Sequence, residues 1–127
     1  MIGVQSKDVP ALWPHIRHLV NQALKHGNGE YIEADIFDAL INARMQLWWG
    51  DETILVTELV KHPQKTICNA FLAAGKMDEI AKALPRIELW AKAQGADMAV
   101  VRGRKGWKRA LAAKGYSETH TVLRKQL

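Results

Sequence analysis

The side chains with chemical capacity in this sequence are few and scattered. Five histidines, His15, His18, His26, His62 and His120, lack the spacing to cysteine or carboxylate that a metal site needs. His15 and His18 share a helix face at i, i+3, but no third ligand accompanies them. The single cysteine, Cys68, sits in the apolar run Ile67-Cys-Asn-Ala-Phe-Leu, which excludes an intrachain disulfide and a thiolate cluster and leaves a buried core residue as its expected role. No Gly-x-Ser-x-Gly elbow, no phosphate loop ending in Gly-Lys-Ser/Thr and no His-Glu-x-x-His occurs. Charge is the stronger signal. The net charge is +5, and between Arg102 and Lys125 eight Lys or Arg stand against one acid, Glu118. Such a segment suits nucleic acid, the phosphates of a nucleotide cofactor or an acidic protein surface, and equally a solvated helix face. Trp48, Trp49, Trp90 and Trp107 could stack bases beside it. Tryptophan buries so much apolar area that core or subunit-interface packing is the expected role, and nucleic acid is not an expected partner.

These residues need a scaffold, and 127 residues at 48% hydrophobic content provide for one globular domain, residues 1–127. No apolar run approaches the roughly 20 residues of a membrane span, and the N-terminus lacks a basic region followed by an apolar stretch. A soluble, cytoplasmic protein with no membrane partner is expected. Apolar spacings of three and four from Val9 to Leu24 predict an amphipathic helix, with Asp8 as N-cap and Pro10 and Pro14 in the first turn. A second helix is predicted from about Ala34 to Met45. Extended patterns follow at Gln46–Trp49, Thr53–Val60 and Lys65–Ala73, with turns at Gly50-Asp51-Glu52 and His62-Pro63-Gln64. A helix from about Met77 to Gln94 should be kinked or split by Pro85. Met98–Val101 is a short buried strand, Gly106–Ala113 a helix, and Thr119–Leu123 a last strand.

The order α-α-β-β-β-α-β-α-β implies an α+β or mixed α/β layer, a mostly antiparallel central sheet flanked by helices. Five segments add specificity: Gln46-Leu-Trp-Trp49, Val56-Thr-Glu-Leu59 with Pro63 after it, Leu89-Trp-Ala-Lys-Ala-Gln-Gly95, Gly103-Arg-Lys-Gly-Trp107 and Lys114-Gly-Tyr116. With the element order along nearly the whole chain, they resemble the GNAT family of acyl-CoA-dependent N-acetyltransferases, in particular compact GNAT-like proteins of tailed bacteriophages.

The resemblance implies a GNAT-like acyl-CoA N-acyltransferase fold and a cleft for acetyl-CoA, or another acyl-CoA, between the strands at Thr66–Ala73 and Met98–Val101. The pantetheine arm would pair with backbone of Phe71, Leu72 and Ala73. The pyrophosphate would lie on Gly75 and Lys76 at the next helix's N-terminus, where free amides and the helix dipole attract anions. This loop is degenerate, because the family's second glycine and its leading Arg or Gln are missing, while Asp78 and Glu79 occupy the first helical turn. Arg104, a further expected cofactor-binding residue, stands where the family often has asparagine, and Leu111 where it often has the tyrosine that protonates the leaving thiolate. A leucine donates no proton, so the family's general acid is absent. Glu58 is the candidate base for an amine acceptor. The alternative is a non-catalytic GNAT-fold phage protein acting in virion assembly, in a host cytoplasm or virion, or as a protein-binding module or homo-oligomer.

Overall fold

The computed structural model describes residues 1–103 and 105–127. Three N-terminal residues, Ile2–Val4 (β1), form a strand ahead of a 3-10 turn at Ser6–Asp8 and two helices, Val9–Leu24 (α1) and Glu33–Ile41 (α2). The meander Gln46–Gly50 (β2), Thr53–Lys61 (β3) and Thr66–Ala74 (β4) follows, then Met77–Ala93 (α3), Met98–Val101 (β5) and Lys105–Ala112 (α4). The sheet order is β1-β2-β3-β4-β5, antiparallel through β4, with β5 parallel to β4 as a β-α-β crossover requires. This is the mixed sheet with flanking helices expected of the sequence.

Alternation along β3 sends side chains to two cores. Leu47, Ile54, Val56, Leu72 and Ala74 pack under α1 and α2, against Ile16, Val20, Ile36 and Leu40. Trp48, Leu55, Cys68 and Ala70 pack on the other face, under α3 and α4, against Leu84, Ile87 and Leu111. The tryptophans join these cores as large apolar anchors: Trp48 meets Trp90 edge to face at 5.3 Å, and Trp13 meets Phe37 at 5.0 Å. Cys68 is buried, as its apolar run implied. No helix among the described residues is long and apolar enough to cross a membrane.

Several elements differ from the sequence expectation. Pro14 lies beyond the first turn of α1, and Asp8 at the N-cap makes no side-chain cap bond, because the 3-10 turn already leads into the helix. The second helix stops at Ile41 instead of Met45. Ala43 takes a left-handed φ of 57°, and the amides of Arg44 and Met45 fold back onto the Ala39 carbonyl. Pro85 does not split α3, which runs unbroken from Met77 to Ala93. The strand predicted at Thr119–Leu123 is not formed. Val122 and Leu123 are exposed there, and Arg124 reaches Glu30 and the Asn28 carbonyl between α1 and α2. β1 was not foreseen; it pairs Ile2–Val4 with Leu47–Trp49.

Candidate functional site

The opening lies where β4 outruns its parallel neighbour. β5 pairs Met98–Val101 with Ile67–Ala70, and the Arg102 amide donates to the Ala70 carbonyl at 3.0 Å. Beyond Ala70, β4 continues to Ala74 with β3 alone. At that point Val56 stands opposite Leu72 and Thr57 opposite Ala70, so Phe71 is an extra residue in β4. A bulge of this kind bends its strand and sharpens its local twist, and it falls just where the β5 ladder ends, at Ala70 and Val101. Phe71, Leu72 and Ala73 thus lie past the β5 ladder, where the backbone edge has no strand partner among the described residues. Their side chains are committed to packing. Phe71 lies against the α1/α2 core with Tyr31 at 5.8 Å, Leu72 is buried in that core, and Ala73 packs in the other. What this segment offers a ligand is backbone hydrogen bonding.

At the far end of β4 the connection to α3 is only Gly75 and Lys76. Gly75 has φ of +114°, and a Cβ there would fall 2.4 Å from the Glu52 carbonyl and 2.6 Å from Thr53 Cα. Its missing side chain therefore makes room for the β2–β3 hairpin, and the close approach at this glycine is that of the chain to itself. The Thr53 hydroxyl accepts from the Lys76 amide at 3.1 Å and donates to Glu79 Oε2 at 2.9 Å. Thr53 thus caps the α3 N-terminus and uses one of the amides that an anion would seek. Lys76 Nζ lies 3.6 Å from Asp51, both side chains well exposed, so its charge stays accessible.

Glu58, on β3, is half-buried on the α1/α2 face directly across from Asn69 of β4. The Asn69 amide nitrogen donates to Glu58 Oε1 at 3.1 Å. Asn69 is 7% exposed, and its Oδ1 is buried without a hydrogen-bond partner among the described residues. Glu58 and the Phe71–Ala73 segment therefore approach one another at the point where β4 and β5 part, whereas Gly75 and Lys76 lie at the other end of that segment. Arg104 lies outside the described residues.

The last quarter of the chain closes the other face. Trp107 covers Gly103, where a Cβ would meet the indole at 2.5 Å, and Leu111 is buried among Cys68, Ala70 and Leu84. Tyr116 donates to Glu88 Oε2 at 2.6 Å, pinning the end of α4 to α3. Burial first, and then the Glu88 carboxylate, push the Tyr116 hydroxyl pKa well above its ordinary value. Burial, with Glu88 adding to it, pushes the Cys68 thiol up to about 11, which keeps it protonated at neutral pH. No group of three or more His, Cys, Asp or Glu among the described residues is placed to hold a metal ion. A cavity of about 550 Å³ opens between β1 and α1, beside Ile2, Lys7, His15 and Trp49, at the sheet edge opposite β5.

Asn69, Thr53 and Tyr31 were not singled out from the sequence. Asn69 had a visible signal, a lone amide inside an apolar strand, since a buried polar group is more informative than a buried leucine. Thr53 and Tyr31 had none, because their partners are distant in the chain.

No family model and no curated protein matches the sequence. Solved structures do match. An aminoglycoside acetyltransferase from an uncultured soil metagenomic sample, crystallised with sisomicin, superposes with a TM-score of 0.70 at 11% identity, covering 99% of this chain and 94% of that one. A predicted acetyltransferase from Clostridium acetobutylicum, with acetyl-CoA, gives 0.69 at 13% identity over 98% and 94% of the two chains. An aminoglycoside N-acetyltransferase in complex with CoA gives 0.69 at 12% identity over 98% and 91%. Along nearly its whole length, the chain has the fold of GNAT-type acetyltransferases.

Proposed function

We propose that this protein is an acyl-CoA-dependent N-acyltransferase. The observation that carries the reading is the β4 backbone at Phe71–Ala73, which lies past the β5 ladder in a fold shared with proteins crystallised with acetyl-CoA and CoA. The pantetheine arm would lie along Phe71–Ala73, and the pyrophosphate near Lys76 and the first free amides of α3. Arg104, which stands where the family often has asparagine, would be a further cofactor contact. Gly75 contributes through the turn it permits, because its open side is taken by the hairpin.

Glu58 would accept a proton from the acceptor ammonium, directly or through water, and the freed amine would attack the thioester carbonyl. The new C–N bond forms as the C–S bond breaks, and the further proton that the nitrogen sheds passes through water to the departing thiolate, since Leu111 supplies none. Much of the rate in such a transfer comes from holding amine and thioester together.

Thermal unfolding with and without millimolar acetyl-CoA tests the reading. Ligand at 100 times its Kd adds about 2.7 kcal/mol to native stability, and the absence of any shift at saturating cofactor overturns it. One observation favours a second reading, a GNAT-fold binding module without transfer, of the kind a phage would use in virion assembly. Thr53 already caps the amide at the phosphate end, and Glu79 is bonded in behind it.

A further inference from the structure

The chain after α4 is fastened at two places on opposite layers. On the α3/α4 side Tyr116 is bonded to Glu88, and Glu118 pairs with Lys108 of α4 at 3.6 Å. Further on, Arg124 donates to the Glu30 carboxylate and, at 3.5 Å, to the Asn28 carbonyl, both in the connection between α1 and α2. Residues 117–124 therefore run from one helical layer to the other, a span of at most roughly 26 Å. Among the described residues none of their backbone groups bonds to a strand, so side chains provide the hold.

The tie at Arg124 falls where the α1–α2 connection has least support of its own. Its backbone-to-backbone hydrogen bonds stop at Gly27 and resume at Ile32 among the described residues. Between them Gly29 takes a φ of +77°, and a glycine on either side of Asn28 leaves this stretch few conformational limits. Beyond it, Glu33 is already held to α1 by Arg17 and Asn21. Tyr31 lies in the stretch that Arg124 ties down, and its ring is 5.8 Å from that of Phe71. Phe71 is the first residue of β4 past the β5 ladder. A run of contacts thus leads from the tail through Glu30 and Tyr31 to the wall of the opening.

We propose that Arg124 is a positioning residue for the ligand that lies along Phe71–Ala73: it clamps residues 28–31, and Tyr31 with them, against that end of the groove. The inference rests on the acyltransfer reading for the ligand's identity, an acyl-CoA. It adds a residue of the tail that acts on binding without touching the ligand. A wall held in place beforehand has less freedom left to lose, so the clamp strengthens binding. The Arg124 and Glu30 side chains are about half exposed, and such a pair biases an equilibrium by no more than about two- to fivefold.

The test uses the full chain, R124E, E30R and the E30R/R124E double variant, in which the pair is reversed. At low ionic strength, acetyl-CoA affinity by titration calorimetry should fall about two- to fivefold in each single variant and return in the double, while melting temperatures without ligand stay close to the parent's. The sequence holds two tyrosines, so incorporation of 3-fluorotyrosine gives two fluorine resonances, assigned by Y31F and Y116F. The Tyr31 signal should move in R124E, return in the double variant, and move when acetyl-CoA is added to the parent. Equal affinities in all four proteins, or a Tyr31 signal that R124E leaves in place, overturns the clamp while acyl-CoA binding stands. If no form binds acetyl-CoA the acyltransfer reading falls instead, and a Tyr31 signal that moves in R124E and returns in the double variant still supports the clamp on residues 28–31.

Discussion

Replacing Gly75 with alanine separates the two roles that a glycine at this position can have. At φ of +114° a Cβ costs about 1–2 kcal/mol from backbone strain alone. The 2.4 Å approach to the Glu52 carbonyl and 2.6 Å to Thr53 Cα involves backbone, which cannot rotate away, and overpacking of this kind adds about 1–3 kcal/mol. Gly95 provides the control, with φ of +93° and nothing within 4 Å of its hypothetical Cβ. Both variants carry the strain and the same gain from a stiffer unfolded chain. Their difference therefore isolates the hairpin contact at about 1–3 kcal/mol, or roughly 4–12 °C in melting temperature for a domain of this size. Circular dichroism melts of G75A and G95A at one pH and concentration measure it. Equal losses would show that the hairpin does not press on Gly75, and the argument that this glycine serves the fold before any phosphate would fail.

Thr53→Val should lose about 1–3 kcal/mol in urea unfolding, because the Lys76 amide and the Glu79 carboxylate both lose the hydroxyl between them. Cys68 has a folded pKa of about 11 against 9.0 unfolded, so its contribution is complete below pH 9 and is lost as pH rises toward 11. C68A should flatten stability over that window. Tyr116 is shifted in the same direction from 10.0, and Y116F should remove its share of the loss above pH 10 while costing about 1 kcal/mol at neutral pH for the bond to Glu88. Deleting residues 119–127 should change stability by no more than about 0.5 kcal/mol, since Val122, Leu123 and Leu127 are exposed; a larger loss in thermal melts would mean the tail is packed.

The sequence carried the architecture wherever periodicity was long and its partners adjacent. β3, β4, α3 and β5 fell within a residue or so of their predicted limits because each shows a clean stripe or alternation bounded by Gly or Pro. It misled where a local pattern needed a distant partner. Thr119–Leu123 alternates like a strand but pairs with nothing, while Ile2–Val4 is too short to show a pattern and pairs because β2 lies beside it. The site divides similarly. Phe71–Ala73 was legible through the resemblance, but the bulge at its start is a register event between two strands and leaves no mark in either one. Gly75 was visible as a glycine, yet its reason, the Glu52–Thr53 backbone, lies more than twenty residues earlier.

The Phe71 bulge also bears on how the β3–β4 ladder takes a change of length. Deleting one residue from the middle of a strand normally turns every later side chain to the wrong face. Here the deletion would do the reverse: without Phe71, Leu72 and Ala74 would keep their partners Val56 and Ile54 and their places under the helices, and the ladder would become regular. The cost would be the Phe71 ring and its packing beside Tyr31. One residue thus separates a bulged β3–β4 ladder from a regular one, while the two cores that hold the protein together stay in register.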